Sequence, residues 1–323
     1  MSALRVSFFC FKSNIIKNNY KKPSLTYSQQ LDKLKERGLI VEDDSKAIHL
    51  LQNLSYYRLS GYWYSLLNEP KKSHIFKDGS SFNQAFSLYC FDRELRLLIL
   101  NQIEKIEVSI RAIIAYECSN ELGVFWLSEK DNFKIFKEYT SCINAIFNEI
   151  NRSKELFLQE YKNNYTEELP PSWITLEVCS FGSLSRIYSN LNSGLNKRKI
   201  ADKFGLNEKV FETWIHSMVY IRNVCAHHSR LWNKRIKIKV ELPKKTTGPW
   251  INNFNIIDDR DGSSRNIKDR TYFSICMIKY LLDQINPNNT FKEKLSELYI
   301  KYPNVDLSAL GYTKNWVSED LWK

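Results

Sequence analysis

An all-α fold is predicted for this 323-residue chain by three features of its sequence. After Ser81, apolar residues recur at three- and four-residue steps for some forty positions. Three further stretches repeat that spacing, which places apolar side chains on one face of a helix. Only 10 Gly and 8 Pro interrupt the chain, so long regular elements can run unbroken.

The elements follow in order. SQQLDKLKERGL gives a first helix with Ser28 as N-cap, Leu31 and Leu34 on one face, and Gly38 as the stop. SKAIHLLQNL gives a second short helix and runs into the aromatic stretch YYRLSGYWYSLL, residues 56–67. Residues 20–80 thus form a small N-terminal helical subdomain, which PKKS after Glu69 leaves; residues 1–19 form a loosely ordered leader. From Ser81 a long helix buries Leu95, Leu98, Ile99, Ile103, Ile106, Ile110, Ile113 and Ile114, and ends at Gly123. A second long helix covers about 133–161. Pro170 and Pro171 break the chain, and SWITLEVCSFGSLSRIYSNL then resumes with an interruption at Gly182. Asn207 caps a fourth helix, EKVFETWIHSMVYIRNVCAHHSRLW. Four long helices with short polar turns read as an up-and-down bundle over 81–240. KRIKIKVEL alternates charged and apolar residues, the pattern of a short strand or extended arm, and 241–323 is a helical C-terminal extension with helices at 270–285 and at TFKEKLSELYIKY.

Composition narrows the partners. The 47 Lys+Arg against 36 Asp+Glu leave +11, a surplus that suits an anionic partner. Seven cysteines are scattered without a CxxC, so they read as reduced thiols rather than a disulfide framework or a zinc cluster. The N-terminal VSFFCF is too short for a signal sequence, and no apolar run is long enough to span a membrane. The expectation is a cytoplasmic protein with no membrane partner.

The stretch YIRNVCAHHSRLWN, residues 220–233, holds two of the five histidines side by side. On a continuous helix, Asn223, His227, Arg230 and Lys234 share one polar stripe, while His228 joins Ile221, Val224 and Leu231 against the bundle. Adjacent helical side chains point about 100° apart, which does not suit the i, i+4 geometry of a helical metal pair. No GxSxG, GxxxxGK[ST] or GxGxxG is present. Arginine and histidine without a metal or cofactor suit RNA cleavage, in which the ribose 2′-hydroxyl is the nucleophile. Histidine moves the protons and arginine holds the charged phosphate, leaving a 2′,3′-cyclic phosphate and a 5′-hydroxyl. Arg222 lies about 140° from His227 on the helical wheel. Within one chain that favours a buried polar network; arginine's reach or a second copy of the chain would allow a catalytic pair.

RNVCAH, residues 222–227, resembles the R-x4-6-H signature of HEPN domains, with Asn223 as the polar residue after the arginine. LDKLKERGL, LSYYRLSGYWYSL, FDRELRLLILNQIEKIEVSIRA, LPPSWITLEVCSFGSLSRIY, RNVCAHHSRLWN and LSALGYTKNW are similar, in that order, to segments of the abortive-infection (Abi-like, AbiD/AbiF) family. The resemblance implies a HEPN-type helical bundle, phage defence by RNA cleavage in the manner of a toxin, and a homodimer that pairs two motifs. It also implies restraint by a small structured RNA, with which the positive charge is compatible. It assigns His227 as general acid/base, Arg222 as phosphate stabiliser, and Asn223 and His228 as orienting residues.

RNA contacts fall on Arg230, Lys234, Arg235, Lys237 and Lys239, part of a run of eight Lys/Arg and one acid between 222 and 245. Arg58 joins them within an aromatic cluster that could stack bases or form core. Glu104 and Glu107, near the middle of the long helix, pair with Lys or Arg or orient the site arginine. Two rival functions stay open: a catalytically silent module gripping a structured RNA, and a DNA-binding regulator.

Overall fold

The computed structural model describes residue 19 and residues 22–257 and 263–323, so the expected leader falls outside the described residues except for Asn19. The chain forms two compact units that divide after Ala85.

In the first unit, Thr26 rather than Ser28 opens helix α1 (Tyr27–Glu36). The Thr26 hydroxyl accepts from the Gln29 amide at 3.3 Å, and the Gln29 side chain accepts from the Thr26 amide at 2.9 Å. That reciprocal capping box places Ser28 inside the first turn. Asp43 caps α2 (Asp44–Leu54) by accepting from the Lys46 amide at 2.9 Å, and α3 (Tyr56–Trp63) follows. Leu31, Leu34, Leu51, Leu59, Tyr62 and Trp63 form the core. The aromatic stretch is therefore split: Tyr62 and Trp63 are core, Tyr56 is half-buried, Tyr57 and Tyr64 lie outside at 89% and 53% exposure, and Arg58 is exposed.

Helix α4 (Phe82–Leu122) contributes its first four residues to that unit and the rest to the second. Leu95, Ile99, Ile103, Ile106, Ile110 and Ile114 are fully buried along it, as their spacing predicts. Gly123, at φ 90°, ends it. The second long helix of the sequence reading is broken: α5 (Phe136–Arg152) and α6 (Leu156–Asn164) are separated at Ser153, where the backbone is extended and the hydroxyl accepts from the Glu155 amide at 3.3 Å. The next break likewise falls at Cys179–Ser180, between α7 (Ser172–Val178) and α8 (Phe181–Asn190), not at Gly182, which is helical. Ser180 makes that break by capping the Ser183 amide at 3.2 Å.

Helices α9 (Leu195–Asp202) and α10 (Glu208–Ala226) follow, then a short antiparallel pair, β1 (Asn255–Ile257) with β2 (Ser264–Asn266), and finally α11 (Thr271–Ile285) and α12 (Phe291–Lys301). Twelve α-helices against one two-stranded sheet among the described residues make the protein all-α. The second unit does not reduce to four long helices. Helix α8 packs on both α5 and α10, and α10 packs on α9 and α11 as well. Residues 271–278 and 280–282 of α11 are buried, so the C-terminal region supplies core rather than covering a finished bundle. No helix among the described residues is long and apolar enough to cross a membrane.

Candidate functional site

The site is built at the far end of α10, and the near end shows how that helix is fixed. Asn207 accepts from the Val210 amide at 3.0 Å and starts the helix where the sequence places it. Phe211, Trp214, Ile215, Met218 and Ile221 bury one face. Lys197 of α9, 1% exposed, donates at 2.9 Å to both the Ser189 carbonyl and the Glu212 carboxylate, which clamps the first turns.

The far end departs from the continuous polar stripe drawn on a helical wheel. Helix α10 stops at Ala226, with His227 as its C-cap. The His228 amide donates to the Cys225 carbonyl at 3.1 Å, and the Ser229 amide to the Val224 carbonyl at 3.0 Å. Those two bonds are the Schellman pattern, and His228 takes its left-handed position at φ 55°. Arg230 and Lys234 therefore lie beyond the helix, off the Asn223–His227 line. The turn also corrects the placement of His228 against the bundle: it is exposed, as are Asn223, His227 and Ser229. The reason is steric, because the left-handed residue reverses the chain before another helical turn can carry His228 inward.

A buried scaffold holds the reversed chain. Asp92 of α4, inaccessible to solvent, accepts from the Leu231 amide at 3.1 Å and the Trp232 amide at 2.6 Å, and pairs with buried Arg96 one turn along. Thr271 donates its hydroxyl to the Leu231 carbonyl at 3.0 Å. Arg270 donates to the Asn233 side chain at 3.2 Å and to the Ala309 carbonyl. Gly311 leaves room for this arginine, since a Cβ there would overlap the Arg270 side chain. Leu231 and Trp232 are buried as the two apolar anchors of the loop. Asp92, Arg96, Arg270 and Gly311 escaped the sequence reading as site residues. One signal was available: Asp92 stands on the same helical stripe as Leu95 and Ile99, where an acid is out of place unless it is partnered.

Arg222 is half-buried, and its guanidinium reaches the Asn223 side-chain oxygen at 3.5 Å. Its electrostatic neighbour is Glu107 of α4. Glu107 accepts from Arg111 at 3.0 Å, and Arg111 also donates to the Leu176 carbonyl. Burial raises the Glu107 carboxyl above its ordinary value; the Arg111 and Arg222 charges oppose that shift without reversing it. Of the two glutamates weighed from sequence, Glu107 thus stands beside the site arginine, while Glu104 is exposed. Cys225 is buried, and burial pushes its thiol up to about 12, which makes it a poor nucleophile. Among the described residues no group of three or more His, Cys, Asp or Glu is placed to hold a metal ion.

Past the loop, Lys234 lies over the Tyr220 ring at 5.9 Å, and Arg235 pairs with Asp269 at 2.6 Å. Residues 235–241 alternate between exposed and covered positions, which is the extended arm that KRIKIKVEL suggested. Arg235, Lys237 and Lys239 are all exposed; Arg58 belongs to the first unit.

Fold and site define an all-α protein that presents an arginine–histidine helix end, with a basic arm behind it. The family of Abi-like proteins matches residues 49–233, more than half of the chain, and the protein belongs to that family. No curated protein and no solved structure matches the chain. The matched span ends at Asn233, the residue held by Arg270, so the arm and α11 lie outside it.

Proposed function

We propose that the protein is a metal-independent endoribonuclease acting in abortive infection, the phage defence to which membership of the Abi-like family points. The observation that carries this reading is the Schellman turn, which leaves both imidazoles exposed at the end of the helix that bears Arg222, on a loop fixed by a buried carboxylate.

In this reading one His227 imidazole takes the proton of the ribose 2′-hydroxyl as that oxygen attacks the adjacent phosphorus. The bond to the 5′-oxygen breaks, and an imidazolium returns a proton to the departing oxygen. Arg222 holds the non-bridging oxygens of the crowded phosphorus, and Asn223 and His228 orient the group. Glu107 is the acidic neighbour that attracts Arg222 toward α4. Because Arg222 and His227 leave α10 in different directions, base and acid come from two copies of the chain, each contributing one motif. A small structured RNA that occupied the same surface would restrain the activity.

The test is cleavage of single-stranded RNA in excess EDTA by the wild type, His227→Ala and Arg222→Ala. Each substitution is expected to lower the rate about 100-fold or more, with 2′,3′-cyclic phosphate ends from the wild type. Cleavage that survives both substitutions, or that requires Mg²⁺, overturns the mechanism. Binding without cleavage by any form favours a silent RNA-gripping module.

A further inference from the structure

The segment that follows the histidines runs back along α10. At its start Lys234 lies over Tyr220, late in that helix. At its end the Glu241 amide donates to the Thr213 hydroxyl at 3.0 Å, and Trp214 donates its indole N–H to the Glu241 carbonyl at 3.0 Å. Thr213 and Trp214 lie about two turns earlier in α10, so the arm is antiparallel to the helix and covers about 10 Å of its length. Between those points Ile236 is buried, and Ile238, Val240 and Leu242 pack against the core. The Ile236 amide donates to the Asp269 carbonyl at 2.8 Å. The apolar half of the alternation thus fastens the arm down along its length.

The other half points outward. Arg235, Lys237 and Lys239 occupy alternate positions of an extended chain, which sets them about 6–7 Å apart in a single row. Exposed Lys244 and Lys245 continue the charge beyond Glu241. Among the described residues, Asp269 pairs with Arg235, and Glu241 is exposed at the far end of the row. Lys237 and Lys239 make no ion pair among the described residues. A linear row one residue wide, stepped at a constant interval, fits one polyanionic strand better than the two backbones of a duplex. It begins where the Arg222–His227 end of α10 stops.

We propose that the arm is a track for single-stranded RNA, along which Arg235, Lys237 and Lys239 hold successive phosphates of the strand on one side of the bond presented to His227. This rests on the reading of the α10 end as a phosphate-handling site, and it makes the substrate class single-stranded RNA rather than a duplex. The track lies outside the span matched to the Abi-like family.

The experiment uses the full-length protein and a fluorescein-labelled 2′-O-methyl RNA, which lacks the internal nucleophile and cannot be cut. Anisotropy is read against salt for that strand, for its duplex, and with oligoglutamate as competitor. Lys237→Ala/Lys239→Ala is expected to weaken single-strand binding about tenfold and to reduce the slope of log affinity against log salt by about 1.4. Lys237→Glu/Lys239→Glu should weaken it further, with unchanged thermal melting showing that the fold is intact. Unchanged affinity and slope, a duplex bound as tightly as the single strand, or oligoglutamate competing as well as RNA would each overturn the track. If the wild type cuts RNA and both double variants bind normally, the track falls and the nuclease stands. If no form cuts RNA but the double variants lose binding, the nuclease falls and the track stands.

Discussion

At the entry to α10, Gly205 takes the left-handed position of a Schellman turn at φ 63°, and Leu206 is buried as the next residue. At its exit the same two hydrogen bonds close around His228, and the next residue is the exposed Ser229. The entry turn is built for stability, since glycine pays no steric penalty there and the following leucine buries apolar surface. The exit turn gives up both gains. A side chain in the left-handed region costs about 1–2 kcal/mol, and no apolar contact follows to offset it. What offsets it lies farther on, in the carboxylate of Asp92 and the hydroxyl of Thr271 that hold Leu231. Local strain kept next to exposed chemistry and balanced by a rigid surround is the pattern of a functional site.

The largest expected effect breaks the scaffold beneath the exit turn. Asp92→Asn removes the charge that pairs with Arg96 and weakens the hold on the Leu231 and Trp232 amides. Leaving Arg96 buried without its counter-ion should cost about 3–5 kcal/mol, read as a shift in the urea midpoint. A loss under about 1 kcal/mol would show that the exit turn holds itself.

The paired turns can then be exchanged. Gly205→Ala forces a Cβ to 2.7 Å from the Tyr280 hydroxyl, and into the Thr247 hydroxyl, at positive φ; about 2–4 kcal/mol should be lost. His228→Gly should raise stability, by about 0.5 kcal/mol, because relief of strain slightly exceeds the added entropy of the unfolded chain. RNA cleavage by His228→Gly should fall at the same time. Destabilisation by His228→Gly would mean that the imidazole is held by packing, and the contrast between the two turns would disappear.

The smallest effect concerns pH at the Arg222 side of the same helix end. The Glu107 carboxyl is raised above its ordinary 4.5 by burial, so the folded protein binds that proton more tightly than the unfolded chain does. Its contribution is present in full below 4.5 and is lost as pH rises through the raised value. Glu107→Gln cannot ionise, so wild-type stability should decline relative to the variant between acid and neutral pH. A stability difference independent of pH would show that Arg111 and Arg222 fully compensate the burial.

Much of this arrangement is legible in the chain. The buried stripe of α4 follows from apolar spacing alone, and Asn207 and Gly123 bound their helices as residues with local physical reasons to do so. The arm was legible too, because alternation in KRIKIKVEL is a two-residue period that no helix shares. The breaks at Ser153 and Ser180 were hidden, since apolar spacing continues across both. A serine whose hydroxyl accepts from a nearby amide at a break, as Ser153 and Ser180 do, looks the same in sequence as one on a helix surface.

By itself, then, the sequence determined an all-helical chain, a basic arm, and an arginine and two histidines near the end of one helix. Only the tertiary structure decided how those histidines are presented. A helical wheel carries the 227–234 segment onward in a stripe and turns His228 inward. In the folded chain Asp92 reaches across from α4, more than a hundred residues earlier, to hold Leu231 and Trp232. Arg270 reaches back from the start of α11 to hold Asn233. Helix propensity near His228 is weak and local, whereas a buried carboxylate must find donors wherever the fold supplies them. That requirement reverses the chain after Ala226 and leaves both imidazoles in solvent.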